Sequence, residues 1–359
     1  MRITFVSPSL NMGGGTRVLA LHARYLMDLG HDVLVVCAKP HRRSIRERLR
    51  LLLDEGVSSL KSTPQFSHFE GVSVPVEIAR SDYVAPSEVP DADVVIATWW
   101  ETAEWIADFP AAKGAKVYFI QGYETFPGQP ADRVRATWRL PFEKITISTF
   151  LQEIGEHEFN QHGMYLVPNA VDHLQFTAPP RHKQNRPTIG YVYSGSSVKG
   201  PDVILAAVEE LRESFPDLRI VSFGSSEPSA EFPLPSESEF SLRPPQSKLK
   251  HLYAQCDAWL CGSRSEGFAL PVLEAMACRT IPVTTRVGGP PDYIDNGKDG
   301  FLVDIEDAHG LAEKAADVLR MDDEAWRTIS DAAFQKASMY DWSKSSKLFE
   351  AALMEIVGK

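Results

Sequence analysis

Two glutamates separated by seven residues, Glu266 and Glu274, stand at the junction of a predicted strand and a predicted helix. The apolar strand pattern over Ala258–Cys261 ends in small and polar residues, and a helix pattern begins at Pro271. Pro271 suits a first helical turn, where its missing N–H would be unpaired in any case. One carboxylate therefore lies in the loop, and the other lies about one turn into the helix.

The loop before this helix predicts an anion site. Backbone amides near Phe268, Ala269 and Leu270 would point into the space that the positive end of the helix dipole faces. Two carboxylates beside an anion site match a sugar nucleotide. Its hydroxyls can donate hydrogen bonds to the carboxylates, and its diphosphate can accept them from the amides.

The segment Glu266–Ala277, EGFALPVLEAMA, resembles the hallmark of the family 4 glycosyltransferases of the GT-B fold. A Gly-Gly turn at Gly288 and Gly289 follows, and then the segment Asn296–Val303, NGKDGFLV, as in that family. The resemblance is strong from Pro187 onward and looser before it.

The chain departs from the family pattern at four positions. Arg279 stands where a glycine is usual, and Asp292 stands where many members have glutamate. Tyr193 occupies the place of an arginine that holds the diphosphate in relatives, whereas Lys199 keeps the lysine with the same role. Gln121 replaces a histidine that contacts the donor sugar. Glutamine cannot transfer protons, which leaves hydrogen bonding to a sugar hydroxyl or a phosphate.

The resemblance implies an α/β fold of the GT-B type, with two Rossmann-like domains facing across a cleft and a C-terminal helix that crosses back to the first domain. The length of 359 residues fits two cores better than one. We expect an acceptor-side domain over 1–180, a nucleotide-sugar-binding domain over 181–340, and the returning helix over 341–359. The stretch Ser225–Pro245, rich in Ser and Pro, predicts a loop over the nucleotide.

The resemblance also implies roles for individual residues. We expect Glu266, Lys199 and Gln121 to be catalytic. The expected donor-binding residues are Gly14, Gly15, Tyr193, Ser194, Lys199, Glu266, Gly267, Phe268, Ala269, Leu270 and Glu274. Candidates for the acceptor side follow two predicted strands, since aromatic faces stack on sugar rings; they are Trp99, Trp100, Glu101, Tyr123 and Glu124.

The reaction implied by the family is transfer of a sugar, with retained anomeric configuration, from a nucleotide-diphosphate sugar to a hydroxyl. The acceptor would be a sugar or glycolipid in bacterial polysaccharide or glycolipid assembly. On a front-face path the diphosphate leaves first and helps to deprotonate the acceptor, so negative charge on the leaving oxygen must be stabilised. Alternatives are a sugar-nucleotide-binding protein without catalysis and a GT-B epimerase or phosphorylase. A dehydrogenase is disfavoured, because Gly13-Gly14-Gly15 lacks the G-x-G-x-x-G spacing.

Other patterns argue against a metal, a cofactor and nucleic acid. Asp91-Ala92-Asp93 matches a metal-binding D-x-D motif but precedes its strand, whereas parallel sheets bind ligands at the carboxyl ends of strands. A net charge of −11 disfavours nucleic-acid binding. The sequence opens with a strand followed by Pro8 rather than a signal-peptide pattern, and no apolar run reaches the roughly 18 residues of a spanning helix. We therefore expect a cytoplasmic enzyme that works without metal.

Residues 41–53, HRRSIRERLRLLL, predict a basic amphipathic helix, because five arginines interleave with Ile and Leu at helical spacing. Such a helix can pack on its domain with a solvated basic face. It can also make weak peripheral contact with anionic lipid at the inner face of the membrane.

Overall fold

The computed structural model describes residues 1–40 and 67–359, which form two α/β domains. Each domain is built on a parallel sheet, as the sequence predicts. The predicted basic helix over 41–53 lies outside the described residues. Among the described helices, none is long and apolar enough to cross a bilayer.

The first sheet has seven parallel strands within the described residues, in the order β3-β2-β1-β4-β5-β6-β7. They are β1 (Arg2–Ser7), β2 (Asp32–Cys37), β3 (Val76–Ile78), β4 (Val94–Ala97), β5 (Ala115–Ile120), β6 (Glu143–Thr146) and β7 (Tyr165–Leu166). Ile3 pairs with Val33 on one side and Val94 on the other. Strand β4 is buried along its whole length, which suits the continuous apolar runs of a sheet covered on both faces.

Among the residues that the structure describes, four helices of the first domain follow strands of this sheet. They are α1 (Gly14–Asp28), α2 (Trp100–Ala107), α3 (Ala131–Trp138) and α4 (Thr149–Phe159). Helix α1 starts directly within the glycine-rich loop after β1, so this loop and the first turn of α1 lie at the carboxyl end of the sheet.

The second sheet has six parallel strands among the described residues, in the order β10-β9-β8-β11-β12-β13. They are β8 (Thr188–Tyr193), β9 (Arg219–Gly224), β10 (Glu239–Leu242), β11 (Ala258–Cys261), β12 (Ile281–Thr285) and β13 (Phe301–Val303). Strand β10 corrects the expectation of an unbroken loop over Ser225–Pro245. The residues Glu-Phe-Ser-Leu alternate between polar and apolar, as a strand requires, and β10 pairs with β9 at the sheet edge despite the surrounding Ser and Pro.

The helices of the second domain connect these strands or follow the last of them. They are α5 (Pro201–Ser214), α6 (Gln246–Ala254), α7 (Leu270–Ala277), α8 (Pro290–Tyr293), α9 (Ala308–Arg320) and α10 (Asp323–Ser338). After α7, Arg279 has the left-handed backbone (φ 60°) that explains why glycine is usual there. The Arg279 side chain is nevertheless anchored, because it donates to the Ala178 carbonyl at 3.0 Å and pairs with Asp331.

The strand order of each sheet changes direction once, between β1 and β4 in the first domain and between β8 and β11 in the second. Loops that leave parallel strands on the two sides of such a switch point diverge and open a crevice at the carboxyl ends. The loops after β8 and β11 therefore define the position where a ligand of the second domain is expected.

The last helix, α11 (Trp342–Gly358), returns to the first domain, which confirms that part of the expected fold. The crossing is held where the Val171 amide donates to the Tyr340 carbonyl at 3.2 Å. Helix α11 packs on α1, where His22 Nδ1 lies 3.2 Å from Ser346 Oγ and the His22 ring rests against Phe349. Burial lowers the pKa of His22 to about 3.

Candidate active site

The loop before α7 has a backbone conformation that is uncommon for its sequence. Ala269 lies in the left-handed region, with φ 61° and ψ 56°, and its side chain does not cap the helix that follows. The Tyr293 hydroxyl holds the turn in place, since it lies 3.1 Å from the carbonyl oxygens of both Phe268 and Ala269. Residues held in such a conformation cluster at ligand sites. The amides at the start of α7 thus have no capping side chain among the described residues, as an anion site requires.

Glu266 and Lys199 meet at the switch point of the second sheet. Lys199 Nζ lies 2.8 Å from both carboxylate oxygens of Glu266, and Ser263 Oγ donates to Oε1 at 2.8 Å. Desolvation lowers the pKa of the Lys199 ammonium, but the charge and hydrogen bonds of Glu266 outweigh it, so the net pKa lies above its ordinary value. The Lys199 side chain is 46% exposed and that of Glu266 13%, so the cation faces the cleft while its partner is sheltered.

The second glutamate of the pair, Glu274, is buried and has partners from both domains. Its Oε1 lies 2.5 Å from Arg17 Nη1 of helix α1, and its Oε2 accepts from the Tyr253 hydroxyl at 2.8 Å. Burial, with a further contribution from the Glu274 charge, raises the pKa of Tyr253 well above its ordinary value. Tyr253 therefore stays protonated and donates to Glu274.

Gln121 brings the glycine-rich loop of the first domain close to the Glu266 loop of the second. Its Nε2 lies 3.4 Å from the Gly15 carbonyl, and its Oε1 is buried without a hydrogen-bond partner among the described residues. Its own carbonyl oxygen would lie only 1.9 Å from a β-carbon placed on Gly267. The two domains can approach this closely only because position 267 is glycine. A β-carbon on Gly14 would meet nothing within 4 Å, so that face of the loop is open.

Tyr193 and Ser194 follow β8, but their side chains turn to local partners. The Tyr193 hydroxyl donates to the Phe232 carbonyl at 2.9 Å and accepts from the Ser229 amide at 2.8 Å. Ser194 Oγ accepts from the Ser196 amide at 3.2 Å. The Tyr193 side chain therefore holds the loop after β9, and it does not replace the charge of the arginine found in relatives.

Two of the expected acceptor-side residues are buried. Trp100 and Glu124 are each 3% exposed, and the Trp100 amide donates to Glu124 Oε2 at 3.1 Å. Burial raises the pKa of Glu124 well above its ordinary value. Trp99 packs on Phe126, while Glu101 is partly exposed and has a pKa raised by burial. The bond between Trp100 and Glu124 thus stabilises the loop after β5, to which Glu124 belongs, from its buried side.

A cavity of about 220 Å³ lies between the domains, beside the ion pair of Glu266 and Lys199. The first domain lines it with Tyr123, Thr125, Phe126, Pro127 and Phe150, and the second with Ser197, Val198, Arg264 and Ser265. Of the five expected acceptor-side residues, only Tyr123 belongs to this lining. Arg264 is held by Asp202, at 2.8 and 2.6 Å, and by Glu306 at 2.9 Å.

Several residues at the domain interface were not expected from the sequence. Besides Arg17, Phe126 and Phe150, they include Thr149, whose amide donates to Asp292 Oδ2 at 2.9 Å. The Thr149 hydroxyl also bonds the Asp292 carboxylate. The first turn of α4 thus binds a carboxylate from the opposite domain. The sequence showed Asp292 only as a departure from the family pattern and contained no sign of its partner.

The Asp-x-Asp motif lies away from these residues. Asp93 accepts from the Arg2 amide at 2.7 Å, and Asp91 pairs with Lys113 at 3.0 Å. Both carboxylates are therefore engaged in loops at the amino ends of the strands.

Residues 174–335 match the sequence model of the family described as Glycosyl transferases group 1. This segment belongs to that family. Over 173 residues the chain is 34% identical to the D-inositol 3-phosphate glycosyltransferase of Corynebacterium urealyticum, a match that covers 44% of this chain and 41% of that protein. The N-acetyl-alpha-D-glucosaminyl L-malate synthase of Bacillus anthracis is 37% identical over 103 residues, 29% of this chain and 26% of that protein. The match thus spans less than half the length of either relative.

Solved structures extend the likeness in fold over nearly the whole chain. HepE of Anabaena, in complex with UDP and glucose, has a TM-score of 0.75 and 18% identity over 99% of both chains. A point mutant of TarM from S. aureus, solved with Fondaparinux, alpha-GlcNAc-glycerol and UDP, has a TM-score of 0.73 and 12% identity, covering 98% of this chain and 100% of that one. At these identities the comparison establishes the fold, which is GT-B as expected.

Proposed function

We propose that the protein is a retaining glycosyltransferase that moves a sugar from a nucleotide-diphosphate sugar to an acceptor hydroxyl without a metal ion. The observation that carries this proposal is the convergence of Glu266, Lys199 and the uncapped start of α7 at the switch point of the second sheet. A carboxylate, an ammonium and amides without a capping side chain together match the hydroxyls and the diphosphate of one ligand.

In the proposed complex, the diphosphate accepts hydrogen bonds from the amides at the start of α7 and from Lys199. Glu266 accepts from hydroxyls of the donor sugar. Gln121 Oε1, which has no partner in the part of the chain that the structure describes, accepts from another hydroxyl. A carboxylate has about four acceptor positions. Arg17 and Tyr253 occupy two of those on Glu274, which leaves two for the ribose hydroxyls.

The chemical step in this proposal depends on stabilising the departing diphosphate. By analogy with the family, we take a front-face path, in which the diphosphate leaves first and helps to deprotonate the acceptor hydroxyl. Lys199 already stands beside Glu266 with a raised pKa, which keeps it charged at neutral pH. Its charge is therefore in place before negative charge develops on the leaving oxygen.

The cavity between the domains is the proposed acceptor site. Tyr123, Phe126 and Phe150 offer aromatic surface on which a sugar ring can stack. Ser265 and Val198, which also line it, are chain neighbours of Glu266 and Lys199. An acceptor bound there would stand next to the donor sugar. We assign the reaction to bacterial polysaccharide or glycolipid assembly by analogy with the family.

A thermal-shift screen against UDP, GDP, dTDP and ADP sugars tests the donor class. UDP sugars come first, because UDP is present in the HepE and TarM complexes. A ligand at 100 times its Kd stabilises the folded state by about 2.7 kcal/mol, which raises Tm by several degrees. The hit is then incubated with an acceptor panel, and NMR of the product anomer tests retention. Absence of any nucleotide-sugar hit would contradict the proposal, as would an inverted product.

A sugar-nucleotide-binding protein without catalysis is a second candidate, and the orientation of Tyr193 favours it. Because Tyr193 bonds to the loop after β9, it adds no charge at the diphosphate. Tight binding of one nucleotide sugar with neither transfer nor hydrolysis would support this candidate over the transferase.

A further inference from the structure

An ion pair between the two domains involves the second glutamate of the Glu-x7-Glu motif. Arg17 lies in the first turns of α1, and its Nη1 is 2.5 Å from Glu274 Oε1. The side chains are only 15% and 5% exposed. The guanidinium also stacks over Phe176, 5.1 Å from the ring centroid, in the connection between the domains. Salt therefore screens this pair much less than it screens a surface pair.

Removal of Arg17 would leave a buried carboxylate with a single neutral donor, Tyr253, among its described partners. Such a loss costs more than the rupture of an exposed pair, because the remaining charge is uncompensated. Glu274 itself sits on α7, the helix whose amino end is the proposed diphosphate site. The orientation of this carboxylate thus depends on whether the first domain is docked.

We propose that Arg17 is a positioning residue that couples binding of the donor to closure of the domains through Glu274. This inference rests on the proposed function, in which Glu274 also accepts from the ribose. One carboxylate then contacts the nucleotide and the first domain at the same time. Donor binding favours the docked arrangement, and docking favours donor binding, as reciprocal linkage requires.

Docking through Arg17 also sets the position of Gln121. Arg17 follows Gly15 by two residues, and the Gly15 carbonyl lies 3.4 Å from Gln121 Nε2. The same movement that brings Arg17 to Glu274 therefore carries Gln121 to the Gly267 loop. Loss of Arg17 would reduce turnover as well as donor affinity, although Arg17 need not contact the reacting atoms.

The test compares Arg17→Gln with Arg17→Lys and with a control, Arg24→Gln. Arg24 lies on the same helix but is 58% exposed and pairs with Asp28 at 3.7 Å. Calorimetry gives the Kd of the donor found in the screen, steady-state kinetics give kcat and KM, and small-angle scattering gives the radius of gyration with and without donor. Melting curves establish that each variant is folded.

We expect Arg17→Gln to raise the donor Kd by about 5- to 150-fold, the usual range of coupling between sites. It should also lower kcat and abolish any contraction that the donor causes in the wild-type protein. Arg17→Lys should show a smaller rise in Kd than Arg17→Gln, because lysine keeps the positive charge but lacks the planar set of N–H donors of a guanidinium. Arg24→Gln should match the wild type. If Arg17→Gln does not fold, Arg17→Lys carries the comparison, with a higher Kd than wild type expected.

Two failures can be told apart. If the wild-type protein binds the donor and a folded Arg17→Gln variant has the same donor affinity and kcat, the coupling is refuted and the proposed function stands. If the wild-type protein binds no nucleotide sugar, both the proposed function and the coupling are refuted.

Discussion

Replacement of Lys199 by alanine removes the one side-chain cation that we place at the departing diphosphate. Lys199 Nζ lies 2.8 Å from both oxygens of Glu266, on the side of the cleft where the amides of α7 begin. Loss of one preorganised donor of this kind costs about 10²- to 10³-fold in kcat, or roughly 2.7–4 kcal/mol of transition-state stabilisation. Because the charge grows only as the bond breaks, kcat should fall much more than KM rises.

The effect on stability should be small by comparison. The Lys199 side chain is 46% exposed, and ion pairs of such exposure contribute about 0–1 kcal/mol to the free energy of unfolding. A matched control is Lys314→Ala, since Lys314 is 36% exposed and pairs with Asp317 at 3.0 Å on α9. Lys199→Arg, which keeps the charge, should retain more activity than Lys199→Ala.

Release of nucleoside diphosphate, measured under saturating donor and acceptor, gives kcat for each variant. Calorimetry with the same donor separates binding from chemistry. A loss of less than tenfold in Lys199→Ala would refute the role of Lys199, as would an equal loss in Lys314→Ala.

Two further predictions concern the domain interface and acid stability. Gly267→Ala places a β-carbon 1.9 Å from the Gln121 carbonyl oxygen, so kcat/KM should fall at least about tenfold. In the control Gly122→Ala, the new β-carbon meets nothing within 4 Å, so the variant should behave like the wild type. Equal kinetics of the two variants would contradict the close approach of the domains at Gly267. Burial lowers the pKa of His22 from 6.5 to about 3, so only the unfolded chain binds this proton between those values. The free energy of unfolding should therefore fall by up to about 1.4 kcal/mol per pH unit as the pH drops below 6.5. Urea titrations of the wild type and His22→Leu should differ in this slope, and identical slopes would show that His22 is not the cause.

Local patterns were enough to predict much of the scaffold. The strand over Asp32–Cys37 and the helix over Asp323–Ser338 have the bounds that their apolar periodicity indicates. The short helices Ala131–Trp138 and Gln246–Ala254 show no clear helical period in the sequence, because two turns contain too few apolar residues. Strand Glu239–Leu242 was missed for the same reason, since four residues between Ser and Pro resemble a loop.

The sequence by itself determined which loops of the second domain lie next to each other. Glu266, Lys199 and the turn before Leu270 lie in two loops that a parallel sheet must bring to one edge, so spacing along the chain was sufficient. The partners across the cleft depend on something that spacing does not contain. Arg17 and Glu274 are 257 positions apart, and they meet because two separately folded domains dock in one orientation. Only the tertiary structure decides that orientation, since it follows from the fit of both surfaces and from the return of α11 to the first domain.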